Sequence, residues 1–567
     1  KSNIGIESRM QLARLIYALI ILLSGVALCL ADESLPKVVT SLGIIEGYFK
    51  TSNAGRKYEA YEGIPYARPP VGEHRFKVPK SISSWTGTLM AKKYSSLCLQ
   101  YNHFPLDPNN RVEGSEDCLY LNVYAAIKTQ SSKNDLLPVI FYIHGGAFTF
   151  GSGIFYGSKY LLDNDVIFVT INYRLGPLGF LSTEDETVPG NMGLKDQSMA
   201  LRWVKDNILY FGGDPEKITI FGQSAGGASV HYHYMSKLSA GLFRGAGMVA
   251  VWLRAGIEET CKYRRISRNR TSCWKFHGRR IARDRIIDEY LLPQRPWLYN
   301  PYTPFGPVVE KGGSDGTTFI DRSPIEIINS GDIMDVPWIT GITSEEGLYP
   351  AADFVGNEKL LEELRNNWET FAPHLLDFNW TIPKTDHAKV ANLIKEHYLG
   401  SSPIGKSTVN QLIQMIGDRL FVYDSEEAAR LQARVTRSPV RYYYFTYRGA
   451  HSLSEEMSGT TEDFGVSHAD DLAYVIDVLF DSSTTQKDRD MQKLLGNLWV
   501  SFATKGSPDL GIEWPKVSPT SNAFPYLYIA GPAEIEIKDT LEIGEKKFWR
   551  SIDFRENSFN PNRKSEL

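Results

Sequence analysis

A serine with glycines on both sides is the residue in this sequence best placed to do chemistry. Residues 222–226 read Gly-Gln-Ser-Ala-Gly, with Ser224 at the centre. A β-rich run precedes them over 217–221, and a helix-compatible run follows over 228–236. Strand, G-x-S-x-G and helix in this order make a sharp turn that exposes a nucleophilic serine. The pattern predicts Ser224 as a nucleophile; a chance match in a glycine-rich turn is the alternative.

Two adjacent glutamates follow a predicted strand further along the chain. A serine hydroxyl needs a general base that is itself oriented by a carboxylate. After a strand–serine–helix turn of this kind, the acidic residue precedes the histidine in the chain. A predicted buried strand over 336–342 runs into Thr-Ser-Glu-Glu-Gly at 343–347. Glu346, beside the glycine, is the predicted acid. Glu345 is the alternative.

One histidine lies on a small polar loop after these glutamates. His468 is the fourth residue of Gly-Val-Ser-His-Ala-Asp-Asp at 465–471. His231 and His233 lie on the predicted helix behind the serine, where histidines are usually packed or solvated, and His144 adjoins a glycine turn with another use. The chain order therefore predicts His468 as the general base.

Backbone N–H groups are needed to bind the negative oxygen of a tetrahedral intermediate. A buried-strand pattern over 137–143 ends in His-Gly-Gly-Ala at 144–147. Gly145 and Gly146 can turn their N–H groups inward, and Ala225, directly after the nucleophile, supplies a third donor. These three residues form the predicted oxyanion hole. A plain strand-ending turn is the alternative for the two glycines.

Apolar runs of strand length alternate with runs of helical periodicity along the chain. This alternation predicts an α/β fold with a mostly parallel central sheet and helices on both faces. The 567 residues are 42% hydrophobic and 23% charged, and no linker divides them, so we place one catalytic domain at 32–554. The net charge of −4 argues against nucleic acid as a partner. Predicted strands include 137–143, 165–171, 336–342 and 440–447, and predicted helices include 193–208, 408–435 and 491–504.

The N-terminal region has the pattern of a targeting segment. Met10 opens a run in which Arg14 supplies a positive charge and an apolar core follows over 15–30. We predict a cleaved signal peptide over 10–31 and interpret residues 1–9 as an untranslated leader or a gene-model extension. A signal anchor is the alternative. Cleavage would leave no stable membrane insertion and would send the protein along the secretory pathway, where we expect secretion.

Four cysteines remain once the signal peptide is removed. Four cysteines allow three pairings, and a secretory route permits disulfides. We expect the two short sequential loops, Cys98–Cys118 and Cys261–Cys273. A bridge that closes about twenty residues stabilises the fold by roughly 3 kcal/mol through loop entropy.

Together with several other motifs, these residues resemble the type-B carboxylesterase family, the carboxylesterase and cholinesterase group of α/β-hydrolases. The similarity spans about residues 35–554, apart from one segment. It implies the α/β-hydrolase fold and hydrolysis of small-molecule carboxylic esters through an acyl-enzyme, without metal or organic cofactor. The motifs that carry it are EGIPYARPPVG, EDCLYLNVY, HGGAF, NYRLGPLGFL, GNMGLKDQ, FGGDP, GQSAGGASV, TSEEG and GVSHADD.

The resemblance also implies contacts that residue types alone leave open. It pairs Arg68 with Glu116 and Arg174 with Asp196, and it independently supports the first of the two expected disulfides. Losing one partner of a buried ion pair is costly, although the pair itself is weak evidence for stability.

The resemblance bears both on the substrate class and on whether the chain is an enzyme. Cholinesterases hold a quaternary ammonium against a tryptophan in the first disulfide loop, a cation–π contact. Here that loop offers Tyr101 and Phe104 and no tryptophan, so the chain is unlike a cholinesterase. Adhesion proteins of the family typically lack part of the triad, which this chain retains. The retained triad therefore favours an enzyme. An inactive secreted binding protein, whose triad survives but whose sheet is disturbed, is the alternative from another functional class.

A narrower resemblance is to insect juvenile hormone esterases. The matching residues are Arg75-Phe76, Asp196-Gln197, Gln223 before the serine, and Asp471 three residues after the predicted base. General carboxylesterases share most of this signature. Juvenile hormone esterase-type specificity is thus the narrower alternative to general ester hydrolysis.

Residues 247–290 depart from the family pattern. Between Arg254 and Arg285 there are eleven Lys and Arg residues against three acidic residues. We interpret this segment as a frameshift or a mis-spliced exon; a genuine insertion that binds an anionic partner is the alternative and would compromise a core strand. The glycosylation triplet at Asn269 lies in this segment, and Asn379-Trp-Thr is the cleaner predicted glycosylation site.

The C-terminal residues 555–567 form a polar tail that ends in Lys-Ser-Glu-Leu at 564–567. This ending is similar to the K-D-E-L retention address, which would keep the protein in the lumen of the endoplasmic reticulum. A chance polar tail is the alternative.

Overall fold

A computed structural model of the chain describes residues 34–101, 112–128, 135–249, 297–298, 303, 305–311, 316–478 and 481–555. Its strands are, in chain order, β1 (Lys37–Thr40), β2 (Gly43–Glu46), β3 (Tyr48–Thr51), β4 (Lys57–Pro65), β5 (Thr88–Met90), β6 (Gln100–Tyr101), β7 (Val112–Glu113), β8 (Tyr120–Ala126), β9 (Leu137–Ile143), β10 (Ile167–Ile171), β11 (Gly213–Gln223), β12 (Gly245–Val249), β13 (Trp338–Thr343), β14 (Val440–Phe445), β15 (Phe524–Gly531) and β16 (Glu534–Thr540).

Most of these strands belong to one sheet with the order β16-β15-β14-β13-β12-β11-β9-β10-β8-β4-β3. From β10 through β9, β11, β12, β13 and β14 to β15, each neighbouring pair is parallel. Antiparallel pairs flank this central part: β15 with β16 on one side, and β10 with β8, β8 with β4 and β4 with β3 on the other. The central strands β9 and β10 are buried along their whole length, which explains their nearly all-apolar sequences.

The helices lie between and after the strands. They are α1 (Gly176–Phe180), α2 (Met192–Asn207), α3 (Ala225–Met235), α4 (Pro324–Ser330), α5 (Leu348–Val355), α6 (Glu358–Asn366), α7 (Trp368–Leu375), α8 (His387–Leu399), α9 (Val409–Gly417), α10 (Tyr423–Val435), α11 (Leu453–Ser458), α12 (Gln486–Lys505) and α13 (Lys546–Ser551), with a π-helical turn at Asp418–Val422 between α9 and α10. Within the described ranges, none of them is both long enough and apolar enough to cross a bilayer.

Neighbouring residues of β11 contact helices on opposite sides of the sheet. The ring of Phe221 lies 4.5 Å from the ring of Trp499 in α12. At the next residue, Gly222, an added Cβ would lie 2.3 Å from the carbonyl oxygen of Gly226 in α3. Successive side chains of a strand point to opposite faces, so α12 and α3 cover different faces. The predicted mostly parallel sheet with helices on both faces is confirmed.

The predicted elements agree with the observed ones except at one place. The single amphipathic run predicted over 408–435 is divided into α9, the π-helical turn and α10. The apolar residues keep a helical spacing across the whole run, so periodicity alone gives no sign of the wider turn.

Strand β12 fills a central position of the sheet. It pairs with β11 from Gly245 to Val249 and with β13 from Ala246 onward, both parallel. The first residues of the unusual segment predicted at 247–290 therefore continue the sheet. Residues 250–296, including Cys261, Cys273 and the Asn269 triplet, lie outside the described residues, as do the signal peptide and the tail from residue 556.

The disulfide Cys98–Cys118 is present, with the two Cα atoms 4.9 Å apart. The predicted ion pair between Arg174 and Asp196 is confirmed as well. The arginine Nε and Nη2 each donate to one carboxylate oxygen at 2.7 Å, and the Arg174 backbone N–H donates to the same carboxylate at 3.1 Å. Both side chains are buried, so water does not screen this contact.

The predicted pairing of Arg68 with Glu116 is wrong. Glu116 instead accepts hydrogen bonds from Nε and Nη2 of Arg75, at 2.5 and 2.6 Å. The backbone N–H of Arg68 donates to the carbonyl of Lys80, which directs its side chain along the exposed segment that follows, toward Ser81 and Ser83. The resemblance correctly implied an arginine partner for Glu116, but that partner is Arg75 and not Arg68.

We expect Asp196→Asn to lower the free energy of unfolding by about 3–5 kcal/mol, because it leaves the Arg174 guanidinium buried without a counter-charge. The matched control is Asp509→Asn, which breaks the exposed Lys505–Asp509 pair and should leave the free energy of unfolding almost unchanged, because solvent screens this pair. Urea unfolding followed by tryptophan fluorescence measures both. Equal losses in the two variants would contradict the assignment.

Candidate active site

Ser224 stands at the junction of β11 and α3 in a strained backbone conformation. Its φ is 56° and its ψ −124°, a region that residues with a Cβ seldom adopt. It is the residue directly before the first turn of α3, and its carbonyl accepts the N–H of Ala228 at 2.9 Å. The side chain therefore projects from the carboxyl end of a central strand at the N-terminus of a helix.

Close packing around two glycines imposes this turn. A Cβ on Gly222 would lie 2.3 Å from the Gly226 carbonyl oxygen, and a Cβ on Gly226 would lie 2.0 Å from the carbonyl oxygen of Ile143 in β9. Cβ atoms do not approach backbone atoms this closely, so only glycine fits at either position. The spacing of two residues on each side of Ser224 is the sequence pattern of this approach.

His468 and Glu346 form a buried pair. Nδ1 of His468 lies 2.6 Å from Oε2 of Glu346. The other oxygen of Glu346 accepts the backbone N–H of Thr343 at 2.7 Å, which fixes the carboxylate at the end of β13. Because a carboxylate only accepts hydrogen bonds, Nδ1 carries the proton and Nε2 of the neutral ring keeps a lone pair.

Glu345, the alternative acid, points elsewhere. Its Oε2 accepts the backbone N–H of Val466 at 2.7 Å and the hydroxyl of Ser344 at 2.5 Å. Its own backbone N–H donates to the Val466 carbonyl at 3.0 Å. Glu345 thus ties the loop after β13 to the loop that carries His468, whereas Glu346 contacts the imidazole.

Two further carboxyl groups hold the histidine loop. Asp470 accepts the backbone N–H groups of Leu453 and Ser467, both at 2.8 Å. Asp471 accepts the hydroxyl of Tyr443 at 2.7 Å. Burial raises the pKa of each aspartate to about 7, because the charged form loses its hydration. The acidic residue in the proposed insect signature, Asp471, therefore has a structural role in this loop.

Three side chains surround the imidazole of His468. The ring of Phe421, from the π-helical turn, lies 4.5 Å away, and the ring of Tyr349 from α5 stacks at 5.3 Å. The amide nitrogen of Gln223 lies 2.8 Å from Nε2. Since Gln223 directly precedes Ser224, this contact places Nε2 beside the nucleophile turn.

The glycine turn after β9 packs directly on the serine. A Cβ on Gly145 would lie 3.0 Å from the Cβ of Ser224. Gly146 has a φ of 106°, and Ala147 and Phe148 continue at 53° and 58°, so the chain reverses sharply here. Among the described residues, no backbone carbonyl accepts a hydrogen bond from the N–H of Gly145, Gly146 or Ala225. The three amides that the sequence predicts as oxyanion donors are thus left out of the backbone hydrogen bonding around Ser224.

The remaining candidate histidines are neutral structural residues. His231 stacks on Trp338 at 4.8 Å and bonds to Gln432, while His233 bonds to Ser239. Burial lowers the pKa of His231 to about 4 and that of His233 to about 3. His144 stacks on a tyrosine below the glycine turn, and burial lowers its pKa to about 4 as well.

Other predicted sites have a plainer outcome. Asn379 is half-buried on the turn after α7, followed by the exposed Trp380, and its glycosylation stays a prediction. No group of three or more His, Cys, Asp or Glu side chains within the described ranges is arranged to hold a metal ion. The expected absence of a cofactor stays a prediction too.

Comparison with known proteins agrees with this arrangement. The sequence pattern of the Carboxylesterase family matches residues 34–549. The chain belongs to the carboxylesterase family. It is accordingly a carboxylic ester hydrolase with the predicted α/β-hydrolase fold, and the family acts on small-molecule esters.

Insect esterases are among the relatives of this carboxylesterase. It is similar to venom carboxylesterase-6 of Apis mellifera, with 49% identity over 93% of this chain and 96% of the relative. It is 35% identical to juvenile hormone esterase of Tribolium castaneum, over 85% of each chain. The structure of juvenile hormone esterase from Manduca sexta with OTFP covalently attached superposes with a TM-score of 0.74 at 27% identity, covering 91% of this chain and 99% of that one.

Sequence reasoning missed several residues around the site of this esterase. The contacts of Phe421 and Tyr349 with His468 depend on how α5 and the π-helical turn pack, which no local pattern shows. A buried ion pair, Lys195 with Glu310 at 2.6 Å, ties α2 to the segment after residue 305. Lys195 lies within a stretch of apolar helical periodicity. Because buried lysines are almost always paired, its position there could have indicated a buried ion pair.

We expect Gly226→Ala to reduce ester hydrolysis at least tenfold and to destabilise the fold, because its Cβ meets the Ile143 carbonyl and displaces the serine turn. The matched control is Gly496→Ala in α12, where an added Cβ has no neighbour closer than 3.8 Å. There alanine should stabilise the helix by about 0.5–1 kcal/mol. Thermal unfolding and turnover of a p-nitrophenyl ester measure both effects; an active, stable Gly226→Ala enzyme would refute the packing argument.

Proposed function

We propose that Ser224, His468 and Glu346 form a catalytic triad that cleaves carboxylic esters through an acyl-enzyme. The observation that carries this proposal is the 2.6 Å contact between His468 and Glu346, with the other ring nitrogen at the serine turn. The chain order of serine, acid and histidine is that of the fold.

The first half of the reaction transfers the acyl group to the enzyme. His468 Nε2 accepts the proton of the Ser224 hydroxyl while the oxygen attacks the ester carbonyl carbon. The carboxylate of Glu346 stabilises the imidazolium that forms. His468 then gives the proton to the leaving alcohol, and the C–O bond of the ester breaks.

Backbone amides stabilise the oxyanion in both tetrahedral intermediates. The N–H groups of Gly145, Gly146 and Ala225 bond to no backbone carbonyl among the described residues, and preorganised donors of this kind act without reorientation during the reaction. In the second half, water takes the place of the serine hydroxyl. His468 removes a proton from the water, the acyl–serine bond breaks, and Ser224 recovers its proton.

We expect Ser224→Ala to lower kcat for p-nitrophenyl ester hydrolysis at least about a thousandfold, because no nucleophile remains. Ser236→Ala at the other end of α3 is the control and should keep wild-type activity. Its hydroxyl caps a neighbouring turn through the N–H of Leu238. A Ser224→Ala enzyme with wild-type turnover would remove the proposal.

The two adjacent glutamates give a second test. Glu346→Gln should lower kcat about a hundred- to ten-thousandfold, because an amide does not stabilise the imidazolium and can favour the wrong tautomer. Glu345→Gln should lower it less than tenfold, since this side chain holds backbone groups rather than the imidazole. Steady-state kinetics decides between them, and the reverse ranking would make Glu345 the acid.

The preferred ester is a further proposal. The relatives named juvenile hormone esterase and the matching Arg75, Asp196, Gln223 and Asp471 favour an unsaturated terpenoid methyl ester as one candidate substrate. A chain-length series of esters that includes such a methyl ester measures this preference. A kcat/KM for the terpenoid ester below that for short acyl esters would favour a general carboxylesterase. An organophosphonate probe that fails to label the protein would favour a binding role instead.

We also propose that the protein enters the secretory pathway. The disulfide Cys98–Cys118 supports an oxidising compartment. N-terminal sequencing of the mature protein and its distribution between medium and cells test cleavage near residue 31 and the retention role of residues 564–567.

A further inference from the structure

The contact between Gln223 and His468 is a hydrogen bond with only one possible direction. The amide nitrogen of glutamine donates and does not accept, so Nε2 of His468 is the acceptor at 2.8 Å. On the other side of the ring, Nδ1 faces the carboxylate of Glu346 at 2.6 Å and must carry a hydrogen. The two neighbours together select the neutral imidazole with its lone pair on Nε2.

The same lone pair is the one that the proposed reaction needs. It accepts the proton of Ser224, the residue next to Gln223 in the chain. In this structure, however, the lone pair is bonded to the amide of Gln223, and both side chains are buried. Gln223 therefore competes with Ser224 for His468 until a substrate engages the serine.

The position of Gln223 is constrained from the side of the oxyanion turn. A Cβ on Gly145 would lie 2.6 Å from Oε1 of Gln223 and 2.8 Å from its backbone oxygen. The amide thus fills the space between the glycine turn and the imidazole.

We propose that Gln223 is a positioning residue for the general base. It keeps the hydrogen of the neutral His468 ring on Nδ1, holds Nε2 at the serine turn, and releases Nε2 to Ser224 during the reaction. This inference rests on the proposed triad. Gln223 does not exchange a proton itself, so every proton transfer remains between Ser224, His468, the alcohol and water.

The amide also acts against protonation of the imidazole in the resting enzyme. A protonated ring would point an N–H at the N–H of Gln223, which is unfavourable. The other titratable groups around His468 are Glu346 at Nδ1, Tyr349 against the ring face, and Asp470 and Asp471 behind the loop. Among the described residues, the hydrogen-bond partner found at Nε2 is Gln223, and one substitution at this position adds a charge there.

Two substitutions of Gln223 distinguish the effect of losing the hydrogen bond from the effect of adding a charge. Gln223→Glu places a carboxylate at Nε2, which favours the imidazolium. The acidic limb of the pH profile of kcat/KM should therefore move about one unit to higher pH. Gln223→Leu removes the donor without adding a charge, so the limb should move in the same direction by a smaller amount. Both variants should lose more activity at pH 6 than at pH 8.

Gln432→Leu is the matched control. Gln432 is a buried glutamine bonded at 2.8 Å to a buried histidine, His231, that has no part in the proposed reaction. Because its partner is His231 and not His468, we expect its substitution to leave the acidic limb of the pH profile unchanged, even where it lowers stability. All rates are expressed per site titrated with an organophosphonate probe, which leaves misfolded protein out of the comparison.

The outcomes distinguish this inference from the triad itself. Wild-type pH profiles in both Gln223 variants would overturn the positioning role and leave the triad intact. A shift in Gln432→Leu equal to that in the Gln223 variants would assign the effect to general loosening and overturn it as well. Labelling or turnover in Ser224→Ala would instead overturn the proposed function on which it rests.

Discussion

The close approach of three backbone segments is the constraint on which this molecule depends. Strand β11, helix α3 and the end of β9 meet at Gly222, Gly226 and the Ile143 carbonyl, with no room for a Cβ on either glycine. Ser224 must then adopt a positive φ, a conformation that costs of order 1–3 kcal/mol and persists only where the surroundings impose it. The parallel sheet on either side supplies that rigidity, since β11 is hydrogen-bonded to β9 and β12 along its buried half.

Burial sets the electrostatics of the same region. Two hydrogen bonds between Glu345 and Val466, one from backbone to backbone and one from the Val466 N–H to the Glu345 carboxylate, join the loops that carry Glu346 and His468. Glu346 and His468 are therefore held together without help from solvent. Charges in such a site interact more strongly than in water because little water screens them. Buried carboxyl groups remain tolerable only where N–H and O–H groups surround them, as around Asp470 and Asp471.

The π-helical turn shows how packing can change the surroundings of a site without a local sequence signal. It interrupts a run of uniform helical periodicity at Asp418–Val422 and brings Phe421 onto the imidazole of His468. Gly347 packs against the backbone of Ile413 just before that turn, where a Cβ would lie 1.9 Å from the carbonyl oxygen. The loop that carries Glu346 and helix α9 therefore constrain each other's positions. Packing also decides which arginine bonds to Glu116. The backbone hydrogen bond between Arg68 and Lys80 turns the Arg68 side chain away, and Arg75 is the partner.

The sequence by itself determined the strand and helix order, the serine turn, the first disulfide and which residue types could act together, because these follow from short-range periodicity, glycine spacing and a resemblance carried by many motifs. The sequence predicted Glu346 but kept Glu345 as an alternative, and the tertiary structure decided that Glu346 contacts His468. The tertiary structure also decided that Arg75 pairs with Glu116 and that Gln223 bonds to Nε2. Adjacent residues of the same type carry no local difference in chemistry. Only the direction in which the packed backbone points each side chain distinguishes them.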